Sequence, residues 1–183
     1  MAAEGTTRRM AEAERADFLR LVEGLTPAQW EAPTLCDAWR VRDVVAHVLS
    51  FEDLGLAGTA ALLVRGRFDV DRVTDLALGP FSAWAPAQLV ARMRDHQRPR
   101  GLPAVLGGGI ALADAMIHQQ DIRRPLRLAR PIPAARVRRS LQVALRTPTL
   151  PSRDGRRPSG WCPPTPAGAS APVPRSGARP RLC

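Results

Sequence analysis

The chain has no lysine, no asparagine and no tyrosine, and all 27 of its basic residues are arginine. The codons of the three missing residues are rich in A and T. The coding sequence is therefore GC-rich, and most of the arginine content needs no phosphate partner to explain it. Long apolar runs are missing too: the longest mostly apolar stretch, Leu54–Val64, falls far short of the roughly 20 residues that a membrane span requires. The opening MAAEGTTRRMAEAERADF carries no apolar run of signal-peptide length after Arg8-Arg9, which argues against export. The three cysteines, Cys36, Cys162 and Cys183, are an odd number without metal-ligand or redox spacing, so a reducing, cytoplasmic setting is expected. No segment alternates apolar and polar residues as a half-buried strand would.

What is present suits one folded unit. A chain of 183 residues with 45% hydrophobic residues can bury a sizeable core without a disulfide or structural metal to hold it. Its net charge of +10 is unevenly placed. Residues 1–125 carry 15 Arg against 16 acids, a balance of −1, while residues 126–183 carry 12 Arg against the single Asp154, a balance of +11. The basicity belongs to the C-terminal third.

Helical periodicity dominates the rest. Phe18, Leu21, Val22 and Leu25 recur at helical spacing within a first helix over 9–24. Thr26, Pro27 and Gln29 form a capping box with proline at the first helical position, and Leu25 and Trp30 flank it as a hydrophobic staple. The connector EAPTLCDAW leads to a long helix over 41–64 with Val41, Val44, Val45 and Val48 on its buried face and Gly66 as its stop. Further helices are expected over 86–96, 110–124 and 133–145, the second closed by Pro125. The fold class is all-α, four helices in a bundle with a short extra helix. Residues 148–183 differ: nine of the 18 prolines lie beyond Thr147, with Leu150, Val173 and Leu182 as the aliphatic anchors. A folded unit over 1–147 is thus followed by a Pro/Arg-rich tail over 148–183, expected to be disordered.

Three histidines can be weighed singly. His47 lies at the border of the buried face of its helix, and His118 has Asp114 one turn before it and Asp121 three residues after it. Acids beside a histidine on an apolar stripe are costly to bury unless something pairs with them. A divalent metal held by His47, Asp114 and His118 would supply that pairing and leave coordination positions open. The competing reading is a histidine near a helix C-terminus, favoured by the dipole and paired with a neighbouring acid. His96, after Arg94 and Asp95 near a helix end, reads as structural or solvated, Cys36 as a small buried hydrophobe, Trp30 and Trp39 as core anchors, and Gly107-Gly108-Gly109 as loop geometry rather than a phosphate loop.

Two motifs carry a resemblance that covers roughly residues 9–147. One is the W-x(5)-C-x-x-W-x-V-R-D-x-x-x-H run from Trp30 to His47; the other is the D-x-x-x-H-x-x-D-I-R-R-P-L run from Asp114 to Leu126. Together they resemble the mycothiol-dependent maleylpyruvate isomerase family, whose N-terminal domain belongs to the DinB-like superfamily. The resemblance implies a DinB-like four-helix bundle that holds a divalent metal, typically zinc, through His47, Asp114 and His118. It makes Asp121 a group that orients His118 or substitutes as a ligand. It implies a metal-activated small-molecule thiol, mycothiol, acting on a small electrophilic substrate by isomerisation or S-transfer. The alternative is a non-catalytic metal-binding bundle or a truncated, inactive family member. Two departures stand out. Arg40 follows Trp39 where relatives often carry a capping Thr, and the tail lacks the apolar closing helix of relatives, as a frameshifted or degenerate end would. The arginines of RRPLRLARPIPAARVRRS raise nucleic-acid binding, but residues 85–160 contain no Phe, Trp or Tyr on which a base could stack.

Overall fold

The computed structural model describes residues 2–146. Its described residues form helices and loops, with no strand; one isolated antiparallel bridge joins Pro33 to Arg40. The eight α-helices are α1 (Ala2–Glu23), α2 (Pro27–Trp30), α3 (Val41–Leu49), α4 (Leu56–Arg65), α5 (Val70–Leu78), α6 (Pro86–Asp95), α7 (Val105–Arg123) and α8 (Ala134–Ala144). Among the described residues no helix is long and apolar enough to cross a membrane. The Pro/Arg-rich segment over 148–183 lies outside the described residues.

Four helices close a ring. Helix α1 packs on α6 and α7, and α3 packs on the same two from the other side. The apolar stripe read from the sequence is what fills the ring: Phe18 and Val22 of α1, Val41, Val44, Val45 and Val48 of α3, Leu89 and Met93 of α6, and Ala115 and Ile122 of α7 are all buried. The Thr26 capping box forms as its residues dictate, with Gln29 N–H donating to Thr26 Oγ1 at 3.3 Å and Thr26 N–H donating to Gln29 Oε1 at 2.8 Å. It turns the chain through α2 and seats Trp30, 4% exposed, in the core.

The long helix expected over 41–64 is broken into α3 and α4. At the break, Glu52 is fully buried, takes Arg15 Nη2 on Oε1 at 2.5 Å and accepts the backbone N–H of Arg100 on Oε2 at 2.7 Å. The carbonyl oxygens of Phe51, Glu52 and Leu54 crowd Gly101, whose φ of 54° belongs to the left-handed region; a Cβ there would sit 2.6–2.9 Å from them. A buried salt bridge and a close backbone approach thus outweigh local helix propensity across Ser50–Gly55. Periodicity also misses α5, a nine-residue helix capped by Asp69, whose side chain accepts from Arg72 N–H at 3.0 Å. Helix α1 begins well before residue 9, and the regular right-handed part of α7 follows three left-handed residues, Leu106, Gly107 and Gly108, so Gly107 and Gly108 have the loop geometry expected of the glycine run while Gly109 already belongs to the helix.

A buried polar network fixes α1 against α7. Glu14, fully buried, takes Gln119 Nε2 at 2.7 Å, Arg136 Nη1 at 2.9 Å and the guanidinium of Arg130. Removing one partner of a buried ion pair leaves an uncompensated charge. Glu14→Ala is expected to lower stability by about 3–5 kcal/mol in urea unfolding. Glu31→Ala, which removes exposed pairs with Arg40 and Arg42, should cost less than about 1 kcal/mol. Equal midpoint shifts for the two variants would contradict this account of the core.

Candidate metal centre

Helix α7 carries Asp114 and His118 one turn apart, on the face that meets α3 near its C-terminal end, where His47 stands. Side chains four apart on a helix share a face, so this meeting brings the three together. His47 Nε2 lies 3.6 Å and His118 Nε2 3.5 Å from the same oxygen, Asp114 Oδ1. The two imidazoles stand edge to face, their centroids 4.9 Å apart. All three residues are partly buried, and one donor atom from each falls within 4.8 Å of the others.

These separations discriminate between chemistries. A direct imidazole–carboxylate hydrogen bond is about 2.7–3.2 Å long. Donors bound at about 2.0–2.2 Å around a tetrahedral ion lie roughly 3.3–3.6 Å from one another. Both contacts to Asp114 fall in the second range. The donor set itself, two neutral-capable imidazole nitrogens and one carboxylate, suits zinc or a similar divalent ion with open positions. His118 also has the partner that a ligating imidazole normally has on its other nitrogen: Nδ1 lies 2.9 Å from Asp121 Oδ2 and donates to it when Asp121 is ionised. The other ring nitrogen of His47, Nδ1, is buried with no hydrogen-bond partner.

The electrostatics are those of a coupled acid–base pair. Burial alone would raise the carboxyl of Asp114, but the charge of the two nearby imidazoles, His118 foremost, outweighs it and holds that carboxyl far below its ordinary range. Burial likewise opposes charge on His118, yet Asp114, Asp121 and Cys36 together raise its imidazolium well above the usual value. Without a cation, therefore, a proton on His118 offsets the charge of Asp114; a cation bound through Nε2 would have to displace it.

Two side chains at the centre were read from the sequence mainly as core, Cys36 with a place near a site as the lesser alternative. Cys36 is buried and also points its Sγ at Asp121 Oδ2, 3.5 Å away, so that Cys36, His118 and Asp121 form a second group that could hold an ion. Trp39 is half-buried and tilts over His47 with centroids 5.0 Å apart, while Phe51 meets the same ring edge-on at 6.1 Å. Both Cys36 and Trp39 ride on the 31–40 connector, which Leu35 N–H ties to the Asp121 carbonyl at 3.1 Å and Trp39 N–H closes on the Cys36 carbonyl at 2.9 Å. Arg40 cannot accept a hydrogen bond through its side chain, but Asp43 Oδ2 accepts Arg40 N–H at 3.0 Å, so the start of α3 keeps one half of its cap. Trp30 is the core anchor that it was expected to be. His96 is structural and not solvated: 2% exposed, it bridges the Arg92 carbonyl at 2.9 Å and Asp53 at 3.1 Å, away from the other two histidines.

The cluster opens into a cavity of about 490 Å³ walled by Trp39, Phe51, Leu63, Phe68, Val73 and Ile110 among others. Trp39 and Phe51 line this cavity beside the imidazoles, and it leaves Asp114 and His118 accessible to a small molecule.

A family model described as the mycothiol maleylpyruvate isomerase N-terminal domain matches residues 11–146. No curated protein and no solved structure matches the chain.

The paired shifts set a pH dependence for the metal-free protein. The raised His118 contributes stability in full below its unfolded value of 6.5 and loses it as pH climbs through its higher folded value. The depressed Asp114 contributes above its unfolded value of 3.8 and loses this only as pH falls into strong acid. Asp114→Asn should therefore be most destabilising between about pH 4 and 6.5 and progressively less so above that window. Urea midpoints of both proteins, followed across pH in the presence of chelator, test this; a difference that does not vary with pH would contradict it.

Proposed function

The chain belongs to the family of the mycothiol maleylpyruvate isomerase N-terminal domain, and from that premise we propose that His47, Asp114 and His118 hold one divalent cation, zinc by their ligand chemistry, for thiol chemistry on a small electrophile. One observation carries the reading: two imidazole nitrogens from different helices converge on a single carboxylate oxygen at 3.5 and 3.6 Å. Bound there, zinc supplies Lewis acidity, which keeps a small-molecule thiol such as mycothiol as its nucleophilic thiolate at neutral pH.

The chain's own residues do the positioning. Asp121 holds the Nδ1 proton of His118 and so directs Nε2 toward Asp114. Trp39 and Phe51 flank the His47 ring and limit the orientations open to it. The apolar cavity receives the electrophile beside the cluster and keeps water from competing with the thiol. Addition of the thiolate to an electrophilic carbon yields S-transfer, or cis–trans isomerisation when the thiol is expelled again. We take residues 1–147 as the unit that does this, and the cytoplasm, where Cys36 stays reduced, as its setting.

The full-length protein is expected to hold about one zinc per chain by elemental analysis after dialysis. His47→Ala and His118→Ala should each lose most of it. His96→Gln should retain it, with circular dichroism confirming that all three variants fold. Asp121→Asn should bind zinc about 10–100-fold more weakly while keeping its stoichiometry at saturation. Equal zinc in the His47, His118 and His96 variants would overturn the ligand assignment. Zinc bound without turnover of any thiol–electrophile pair would reduce the reading to a non-catalytic metal-binding bundle.

A further inference from the structure

A second cavity, of about 620 Å³, lies where the C-terminal ends of α1 and α7 meet, on the face of α7 that Gln119 and Arg123 share one turn apart. Its wall carries four guanidinium groups, Arg20, Arg123, Arg127 and Arg130, and one carboxylate, Asp17. None of His47, Asp114 and His118 lines it. The connector after α7 makes this convergence. Leu128 N–H donates to the Arg123 carbonyl at 2.9 Å, Arg127 N–H donates to the Arg124 carbonyl at 3.1 Å, and Arg127 takes a left-handed φ of 55°. That turn reverses the chain at the end of α7 and brings Arg127 and Arg130 onto the same wall as Arg123.

Part of this charge already has a structural use. Arg130 and Arg136 pair with Glu14 and Asp17, and Arg20 pairs with Asp17. Helix C-termini also attract cations. Those uses do not absorb it all. Around the cavity the described residues bring five guanidiniums, Arg136 included, against the two carboxylates of Glu14 and Asp17. The two helix ends add the equivalent of about one more negative charge, which leaves about two positive charges over. Residues 147–183 contain six arginines and the single acid Asp154, so they hold no excess of carboxylates to cancel the remainder.

Arg123 and Arg127 carry that remainder. Arg123 donates through Nε to the neutral Gln119 Oε1 at 3.2 Å, and Arg127 is exposed. Burial, and then the neighbouring charge of Arg130, works against the charge on Arg123, a cost that an anion held by both would relieve. Guanidinium forks fit the oxygens of phosphate groups, and Leu21, Leu25 and Leu128 supply an apolar flank. A phosphate monoester carries about −1.5 to −2 charges near pH 7 on one compact head, which matches the positive charge left over.

We infer that this cavity is an anion site, separate from the metal centre, in which Arg123, Arg127 and Arg130 hold a small phosphate monoester with an apolar body.

Calorimetric titration of the full-length protein with phenyl phosphate, benzoate and benzyl alcohol tests this at about pH 7.5, where the monoester is a dianion. Chelator is present throughout, so that no ion at the metal centre can take the phosphate. Phenyl phosphate should bind with a Kd below about 1 mM and about tenfold more tightly than benzoate, while benzyl alcohol should give no heat of binding. Arg123→Gln and Arg127→Gln should each weaken phenyl phosphate about tenfold. Arg65→Gln, on α4 and outside this cavity, should leave it within about twofold. Circular dichroism checks the fold of each variant, and the exposed Arg127 decides the matter if Arg123→Gln unfolds. Absence of phenyl phosphate binding, benzoate or benzyl alcohol binding as tightly, or equal weakening by Arg127→Gln and Arg65→Gln would each overturn the inference. A protein that takes up no zinc yet binds phenyl phosphate in the expected pattern would lose the metal reading and keep this site.

Discussion

The rotation of α7 about its own axis is the constraint on which the rest depends. Successive residues on a helix are about 100° apart, so His118 and Gln119 look in different directions. Gln119 is fully buried and locked to α1 by its 2.7 Å bond to Glu14, with Arg130 Nη1 on its oxygen at 2.8 Å. That lock leaves one face of α7 for Asp114 and His118, and it is the face that meets α3 and His47. A slip of one residue along α7 would, depending on its direction, either turn Gln119 toward the cluster or put the His118 imidazole against Glu14. The same buried charges that are expensive to desolvate therefore set the register of the centre.

A proton and a metal ion would compete for this cluster. With a proton on His118, Asp114 faces an imidazolium, and both groups are shifted in the directions such a pair produces. With a metal, the same two groups must give up that proton, so uptake of the ion releases it and weakens in acid. The 31–40 connector sits over this equilibrium. It brings Cys36 to Asp121 and Trp39 to His47, and its hydrogen bond from Leu35 to the Asp121 carbonyl couples it to the turn of α7 that orients His118.

Much of this was legible in residue order. The spacing of Val41, Val44, Val45 and Val48 gave the buried face of α3, Thr26 and Gln29 gave a cap, and D-x-x-x-H put two donors on one face of α7. Those are local signals, carried within one or two turns. What escaped depends on distant contacts. The break between α3 and α4 is made by Arg15 and Gly101 acting on Glu52 and its neighbours, and no window around Ser50 contains either of them. Cys36 meets Asp121 across 85 positions of sequence, and a loop residue has no periodicity to reveal its direction. The one available hint was the dense C-x-x-W run just ahead of α3, which placed polarisable and aromatic groups within a short reach of His47.

The central claim is that one cation sits among His47, Asp114 and His118. Crystals of the full-length protein grown with zinc, with anomalous difference maps collected on either side of the zinc absorption edge, test it most directly. The account predicts a peak within about 2.0–2.2 Å of both Nε2 atoms and an Asp114 carboxylate oxygen. A map with no peak at that point, or with its peak among Cys36, His118 and Asp121 instead, would contradict it.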